Sequence, residues 1–269
     1  MLSDFLCFVM YDIFGYRKKV VRKNLMLVFP EKDNKWYKKI ERKFYHHMCD
    51  IMLETIKSFK ISEEEMKKRF KIKNIEALKQ FEEKDRSVIV MCGHYASWEW
   101  MMSLGYHLKH KGHGIYTPLI NKHFDRLVKR IRKRHNAYVI SRYEALDTIR
   151  NHDKNNERGV YGFASDQSPQ PKPKSYWRKF LGVKVPVFLG AELLARELNF
   201  AIVFAEINRV KRGHYEAEFK VLTENPKATK PNKITDLFTD WVEAQVYSDP
   251  SQYLWSHNRF KHSHLAPKD

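Results

Sequence analysis

Short apolar segments alternate with longer amphipathic segments along most of the chain. The short segments are rich in β-branched and aromatic residues and fall near 87–93, 114–117, 137–140, 159–165 and 200–207. Segments with helical spacing of apolar residues separate them, near 97–111, 121–135, 143–156 and 187–199. This alternation predicts βαβ units. We therefore expect one α/β domain with a central, mainly parallel sheet flanked by helices.

Further elements are predicted on either side of this core. Apolar residues at steps of three and four predict a long helix over 34–60, and Ser62 before three glutamates reads as the N-cap of a second helix. Near the C-terminus, 214–222 alternates as an edge strand and 234–248 has helical spacing. The segment SPQPKPKSYW at 168–177 reads as a long surface loop.

The N-terminus suggests contact with a membrane surface. Residues 1–16 are mostly apolar and run into the basic cluster RKKVVRK at 17–23. As a helix, this apolar stretch spans roughly 24 Å, short of the ~30 Å hydrocarbon core. An amphipathic helix in the membrane interface is favoured, and an ordinary helix packed on the domain is the alternative. We divide the chain into this membrane-interface segment (1–23) and a main domain (24–269).

The charge balance predicts an anionic partner. Fifty Lys and Arg residues against 32 Asp and Glu residues give a net charge of +18. Nucleic acid, an anionic membrane, or an acidic carrier protein with a phosphorylated substrate would each fit. Cys7, Cys49 and Cys92 lie far apart, which predicts buried free thiols, and neither they nor the histidines suggest a metal site.

The sharpest local motif is the end of a buried strand followed by H-x4-E. His94 comes directly after Gly93, and Glu99 lies five residues further on, in the next helix. A neutral imidazole can take a proton from a hydroxyl while a carboxylate on its other nitrogen fixes the tautomer. Backbone N–H groups at the helix start could then meet an oxyanion. The alternatives are a structural turn histidine beside a helix-start acid, or a Cys92–His94 hydrolase pair.

Two other groups of residues attract attention. Residues 129–134 hold five cations, whose fork-shaped arginines suit phosphate groups or an acidic carrier, although a solvated helix face would look alike. Asp166 follows a buried strand directly, where a carboxylate can orient a base, hold an arginine or cap a turn. His257 and Arg259 lie among aromatic residues, which favours packing of the C-terminal segment.

Five sequence blocks, in order, resemble the late acyltransferases of lipid A biosynthesis (the lauroyl/myristoyl transferase family). The blocks cover nearly the whole chain, and as an ordered set they are far more specific than any one of them: RKNLMLVFPE (22–31), GHYASWE (93–99), YTPLINKHFDRLVKRIRKR (116–134), FASDQSP (163–169) and PSQYLWSHNRFK (250–261).

The resemblance implies a fold like that of the glycerol-phosphate acyltransferases and an enzyme at the cytoplasmic face of the bacterial inner membrane. Such an enzyme takes a fatty acyl chain from acyl carrier protein, its co-substrate, and esterifies a hydroxyl of a phosphorylated lipid A precursor without a cofactor or metal. The implied catalytic base is His94 and its acidic partner is Glu99. Arg132 and Asp166 match further motif positions, and we add Arg130 and Arg134 as substrate-binding candidates; the C-terminal W-x-H-x-R pattern falls on Trp255, His257 and Arg259.

Alternatives remain at this point. The same chemistry could act on another lipid or an amino-acid lipid, and a basic nucleic-acid-binding protein would also explain the charge. We expect no nucleic-acid partner, because the chain has no recognised nucleic-acid-binding motif and no phosphate-binding glycine loop. Family members usually begin with a full transmembrane helix, whereas this N-terminus resembles only its second half. We therefore expect either a start further upstream or an interfacial anchor.

Overall fold

The short apolar segments form one mixed sheet in the computed structural model, which describes residues 2–267. Its strands are β1 (Phe70–Ile72), β2 (Val88–Cys92), β3 (Lys111–Tyr116), β4 (Ala137–Ser141), β5 (Gly159–Ala164), β8 (Ala201–Lys211) and β9 (His214–Thr223). The order across the sheet is β1-β9-β8-β2-β5-β3-β4. Neighbours run parallel except for the β8–β9 pair, which is antiparallel. The predicted α/β fold with a mainly parallel sheet is confirmed.

Strand β2 lies at the centre of the sheet and is buried along its whole length. It pairs with β5 in the register Val88↔Val160 to Cys92↔Ala164, and with β8 on its other side. Buried on both faces, such a strand reads as an unbroken apolar run rather than an alternating one. The prediction that 214–222 forms an edge strand is wrong, because the three-residue strand β1 pairs outside it. So short a strand leaves no periodic pattern to detect.

Helices cover both faces of the sheet. Their ranges are α1 (Leu2–Cys7), a π-helix (Phe8–Ile13), α2 (Lys18–Val28), α3 (Asn34–Lys57), α4 (Glu63–Arg69), α5 (Glu76–Glu83), α6 (Lys122–Arg134), α7 (Ala145–Lys154), α8 (Gly190–Leu198) and α9 (Lys233–Ser248). Short 3₁₀ helices span Trp98–Tyr106, Pro226–Ala228, Pro250–Gln252 and Ser263–Leu265. The predicted N-cap is confirmed, since Ser62 accepts a hydrogen bond from the Glu65 N–H at 3.2 Å. The segment near 97–111 is a 3₁₀ helix that ends at Tyr106, shorter than the predicted helix.

A small antiparallel hairpin was not predicted from the sequence. It consists of β6 (Trp177–Phe180) and β7 (Val183–Pro186), and the predicted loop at 168–177 leads into it. Its turn residues, Leu181 and Gly182, both have positive φ angles, of 51° and 78°. Leucine is rare in that conformation, so the usual Asn-Gly signal of a hairpin is missing from the sequence.

The N-terminal segment packs on α3 with one side and exposes apolar residues on the other. Cys7 and Tyr11 are buried against α3, while Phe5, Phe8 and Phe14 are 65%, 52% and 77% exposed. Among residues 2–267, none of the helices combines enough length and apolar character to cross a bilayer. The segment thus has the packed side of an ordinary terminal helix together with the exposed apolar side that an interfacial helix requires.

Candidate active site

His94 and Asp166 meet at the carboxyl edge of the sheet because their strands are neighbours. Cys92 pairs with Ala164 at the last register position of the β2–β5 ladder. Each of the two polar residues lies two positions beyond that pair, so the chain brings them out of the sheet side by side. In parallel α/β sheets this edge is where ligands usually bind.

The two side chains form a short, buried hydrogen bond. His94 Nδ1 lies 2.6 Å from Asp166 Oδ1, and the backbone N–H of His94 donates to Oδ2 at 3.1 Å. The Asp166 side chain is 2% exposed and that of His94 is 16% exposed. A carboxylate only accepts hydrogen bonds, so Nδ1 carries the proton and the lone pair lies on Nε2. Asp166 therefore fixes the tautomer that a general base requires.

The electrostatics of the pair follow from its burial. Burial alone would lower the pKa of His94, but the negative charge of Asp166 and its hydrogen bond, with a further contribution from the charge of Glu99, raise that pKa above the ordinary value of an imidazole. Burial acts against ionisation of Asp166, yet the His94 charge and hydrogen bonds hold its pKa below the ordinary value. The pair is built to stabilise a protonated imidazole.

The Gln167 amide is a polar neighbour of His94 Nε2. Gln167 Nε2 lies 3.1 Å from it, where the amide can donate to the imidazole lone pair, and the Trp98 ring lies 5.3 Å from the imidazole centroid to centroid. All three side chains line the same cavity. A substrate hydroxyl that replaced the Gln167 amide at this nitrogen would be placed for proton transfer. Sequence reasoning missed Gln167, although it follows Asp166 directly in the FASDQSP block.

The prediction that Glu99 lies against the second nitrogen of His94 is wrong. That position belongs to Asp166, and the Glu99 carboxylate instead accepts a hydrogen bond from Arg132 Nη2 at 2.8 Å. Glu99 remains in the site, because it lines the same cavity and its charge acts on the His94 pKa. Its assignment as a catalytic residue stays a prediction.

The turn after β2 explains where Glu99 goes. Ala96 has a positive φ of 49°, its N–H donates to the Gln252 carbonyl at 3.1 Å, and the Ser97 hydroxyl donates to Glu54 at 3.3 Å. These contacts delay the helix until Trp98, and the Glu99 side chain then meets α6. The N–H of Ala96 is thereby occupied, and so it cannot supply the backbone oxyanion donor that we expected near the helix start.

The cations at 129–134 of α6 have different surroundings. Arg132 is half-buried and lines the cavity, with its guanidinium also 5.9 Å from the Tyr116 ring centroid. Arg130, Lys133 and Arg134 are exposed on the outer side of the helix. Lys129 pairs with Asp125 at 2.9 Å. The structure thus brings Arg132 to the site and leaves the predicted Arg130 and Arg134 on the surface.

The C-terminal segment packs behind Asp166. Tyr253 is buried and hydrogen-bonds to Asp166, and burial together with this negative charge raises the pKa of its phenol well above the ordinary value. Arg259 is 2% exposed, donates to the Pro186 carbonyl at 3.2 Å, and its charge lowers the Asp166 pKa. The Ser168 N–H donates to His257 Nε2 at 3.4 Å. Packing of this tail was expected, but its support of the Asp166 carboxylate was not.

Cys92 does not act as a nucleophile in this arrangement. Burial raises the pKa of its thiol to about 12, so it stays protonated at neutral pH. Cys7 and Cys49 are also buried and free. Among residues 2–267, no cluster of three His, Cys, Asp or Glu side chains could hold a metal ion.

A cavity of about 1110 Å³ opens beside His94. It exceeds the ~300–1,000 Å³ of ordinary small-molecule pockets. His94, Glu99, Arg132 and Gln167 line it near the strand ends, and most of its lining surface is apolar. Its lining includes Val90, Val160 and Gly162 of the central strands, residues on the opposite face of the sheet such as Ile115 and Phe163, and Met48 and Met52 of α3. A long apolar substrate with a polar reacting centre matches this shape.

Comparison with known proteins gives a consistent result. A family model described as bacterial lipid A biosynthesis acyltransferase matches residues 2–262. The lipid A biosynthesis palmitoleoyltransferase of Escherichia coli (strain K12) is 26% identical over an alignment of 266 residues, and the match covers 91% of this chain and 79% of that protein. The lipid A biosynthesis lauroyltransferase of the same organism is 22% identical over 249 residues, and the lipid A biosynthesis acyltransferase of Shigella flexneri is 26% identical over 266.

Proposed function

Because the chain belongs to the bacterial lipid A biosynthesis acyltransferase family, we propose that it transfers a fatty acyl chain from an acyl carrier protein thioester to a hydroxyl of a phosphorylated lipid A precursor. The observation that carries this proposal is the His94–Asp166 pair, which presents an unprotonated Nε2 to a large apolar cavity. A base in that position and a cavity of that size suit the transfer of an acyl chain to an alcohol.

The reaction needs one base and no covalent acyl-enzyme. His94 Nε2 takes the proton from the acceptor hydroxyl as its oxygen attacks the thioester carbonyl. Asp166 stabilises the imidazolium that forms. When the tetrahedral intermediate collapses, the carbon–sulfur bond breaks, and the proton passes from His94 to the departing carrier thiolate. An oxygen ester and a free carrier thiol result, with His94 neutral again.

The Glu99–Arg132 pair is proposed to hold the acceptor rather than to move the proton. The Glu99 carboxylate fixes one Nη of Arg132, and the remaining N–H groups of the guanidinium suit a lipid phosphate. Arg130 and Arg134 lie on the exposed side of the same helix. We assign them to contacts outside the cavity, with the acidic surface of the carrier or with lipid headgroups.

Membrane binding is proposed to occur through the exposed apolar side of the N-terminal segment. Phe5, Phe8 and Phe14 lie there, and Lys19 and Lys23 are exposed in the adjoining basic cluster. Apolar side chains beside lysines are the combination that binds the anionic leaflet facing the cytoplasm. These features support a position at the cytoplasmic face of the inner membrane, where the acceptor lipid would be within reach of the cavity.

The proposal is tested with purified protein, acyl carrier protein thioesters and a panel of acceptors, including a lipid A precursor, another hydroxylated lipid and an amino-acid lipid. Mass spectrometry should show one added acyl chain on the lipid A precursor. His94→Ala should abolish this product, whereas His264→Ala, a surface histidine away from the cavity, should not. Undiminished turnover by His94→Ala would contradict the proposed mechanism. If only another acceptor is acylated, the substrate is that acceptor and not the lipid A precursor.

A further inference from the structure

Part of the cavity wall is formed by residues with little or no side chain. Gly112 and Gly114 of β3 pair with Val160 and Gly162 of β5, so the three glycines lie together on one face of the sheet. All of them line the cavity. We call these three residues, Gly112, Gly114 and Gly162, the glycine floor.

Local structure does not require glycine at these positions. None of the three has a positive φ. A Cβ added at Gly112 would meet nothing within 4 Å, and one at Gly114 or Gly162 would meet its nearest atom at 3.9 or 3.7 Å, which is ordinary contact. Glycine inside a strand normally weakens it. The three glycines therefore keep space open, and that space belongs to the cavity.

Gly105 shows what a glycine required for packing looks like. It also lines the cavity, but a Cβ there would lie 2.3 Å from the His135 carbonyl oxygen and 2.7 Å from that of Asn136. Its 3₁₀ helix covers the face that carries the glycine floor, because Met101 and Leu104 pack with Val90, Cys92 and Val160. The open space thus lies between this closely packed 3₁₀ helix and the three sheet positions that have no side chain.

The glycine floor leads away from the reacting centre. Cys92 and Ala164 form the level next to His94, Val90, Gly162 and Gly114 form the next level, and Val160 and Gly112 form the one below. At about 3.3 Å per residue, the drop from Cys92 to the level of Val88 is about 13 Å. Val90, Val160, Met101 and Leu104, which line the cavity on this face, are all apolar and suit an alkyl chain whose carbonyl lies at His94.

We propose that the glycine floor sets the length of the acyl chain that the enzyme accepts. This inference rests on the proposed acyl transfer. The donor's tail would lie across Gly114 and Gly162 and end beyond Gly112. A side chain at Gly114 would stop the tail early, and one at Gly112 would stop it later. Chain-length selectivity would then depend on two neighbouring strands and not on the acceptor site.

The test compares acyl donors of eight to sixteen carbons with wild-type enzyme and with Gly114→Val, Gly112→Val and their alanine counterparts. Each variant should keep turnover with short donors and lose it with long ones, so that the ratio of kcat/KM for long over short donors falls by about tenfold or more. The shift should be larger for Gly114→Val than for Gly112→Val. Val160→Ala, which deepens the path, should shift preference towards longer chains.

A second readout separates this inference from the proposed function. Displacement of a fluorescent fatty acid by free fatty acids of the same lengths measures the cavity without any transfer. If the variants change which fatty acid length binds best but no acceptor is acylated, the proposed function is wrong and the role of the glycine floor is supported. Transfer with an unchanged length profile in Gly114→Val, or an equal loss for all lengths in Gly114→Ala, would overturn the glycine floor.

Discussion

His94 and Asp166 are 72 residues apart in the chain, and their side chains are joined by a 2.6 Å hydrogen bond. Their proximity is a consequence of strand order: two strands and three helices, one of them 3₁₀, separate β2 from β5 along the chain, yet β5 pairs directly with β2. The acid that orients the base thus comes from the neighbouring strand, and the acid of the H-x4-E motif is left to hold an arginine.

Because Glu99 holds Arg132 and does not contact His94 Nδ1, substitutions at Glu99 and Arg132 should have non-additive effects on activity. Each single alanine variant breaks the same 2.8 Å ion pair, so the double variant should cost much less than the two single losses combined. The loss should appear mainly as a higher KM for the acceptor, and Arg132→Lys should not restore it, because lysine lacks the fork. Steady-state kinetics with a phosphorylated acceptor measure both effects. If the losses of the two single variants add fully in the double variant and affect only kcat, Glu99 takes part in proton transfer instead.

Gly105 is expected to be essential for stability. An alanine methyl there would push into the backbone oxygens of His135 and Asn136, which cannot move aside as a side chain could. Gly105→Ala should therefore lower the free energy of unfolding by about 1–3 kcal/mol or more. Gly112→Ala is the matched control, since its methyl meets open space, and it should be neutral or slightly stabilising. Urea unfolding followed by circular dichroism compares the two, and equal midpoints would contradict the close packing.

The N-terminal phenylalanines are expected to carry membrane affinity. A fully buried Phe side chain contributes about 1.5–3 kcal/mol, so replacing Phe5 or Phe14 with Glu should reduce partitioning onto anionic vesicles by about tenfold or more. Both residues are exposed, so the fold should be unaffected. Leu193→Glu, an exposed apolar residue on α8, serves as the control. Vesicle sedimentation gives the answer, and unchanged partitioning of the N-terminal variants would rule this surface out.

Most of the fold could be predicted from the sequence because its elements carry strong periodic patterns. The short apolar segments became β2, β3, β4, β5 and β8, and the long amphipathic segment became α3. Elements without a pattern were missed: β1 has three residues, and the β6–β7 hairpin turns through Leu181. Strand order was not predictable either, since it depends on which helices pack on which face.

That same limit explains the error at the site. His94 and Asp166 were both singled out, each for following a buried strand, and orienting a base was one interpretation of Asp166. Joining them required knowing that β2 and β5 are neighbours. Proximity in the sequence favoured Glu99 instead, and no spacing rule could show that the strained turn at Ala96 directs it to Arg132. The support from Tyr253 and Arg259 also depends on tertiary packing alone.

The pH dependence of transfer reports directly on the base. His94 must be neutral to accept a proton, so kcat/KM should fall as the pH falls through its pKa, which Asp166 and Glu99 raise above the ordinary value of an imidazole. The wild-type acid limb should therefore have its midpoint at a higher pH than an ordinary imidazole would give. Glu99→Gln should move that midpoint slightly downwards, because Glu99 is the smaller of the two contributions.

The pH–rate profile of Asp166→Asn, compared with that of the wild-type enzyme, tests the central claim most directly. Without the carboxylate, burial lowers the His94 pKa, so the acid midpoint should move to lower pH, and the plateau rate should fall by about 10²–10⁴-fold because the tautomer is no longer fixed. A profile with the wild-type midpoint and a plateau within a few-fold of wild type would show that His94 works without Asp166.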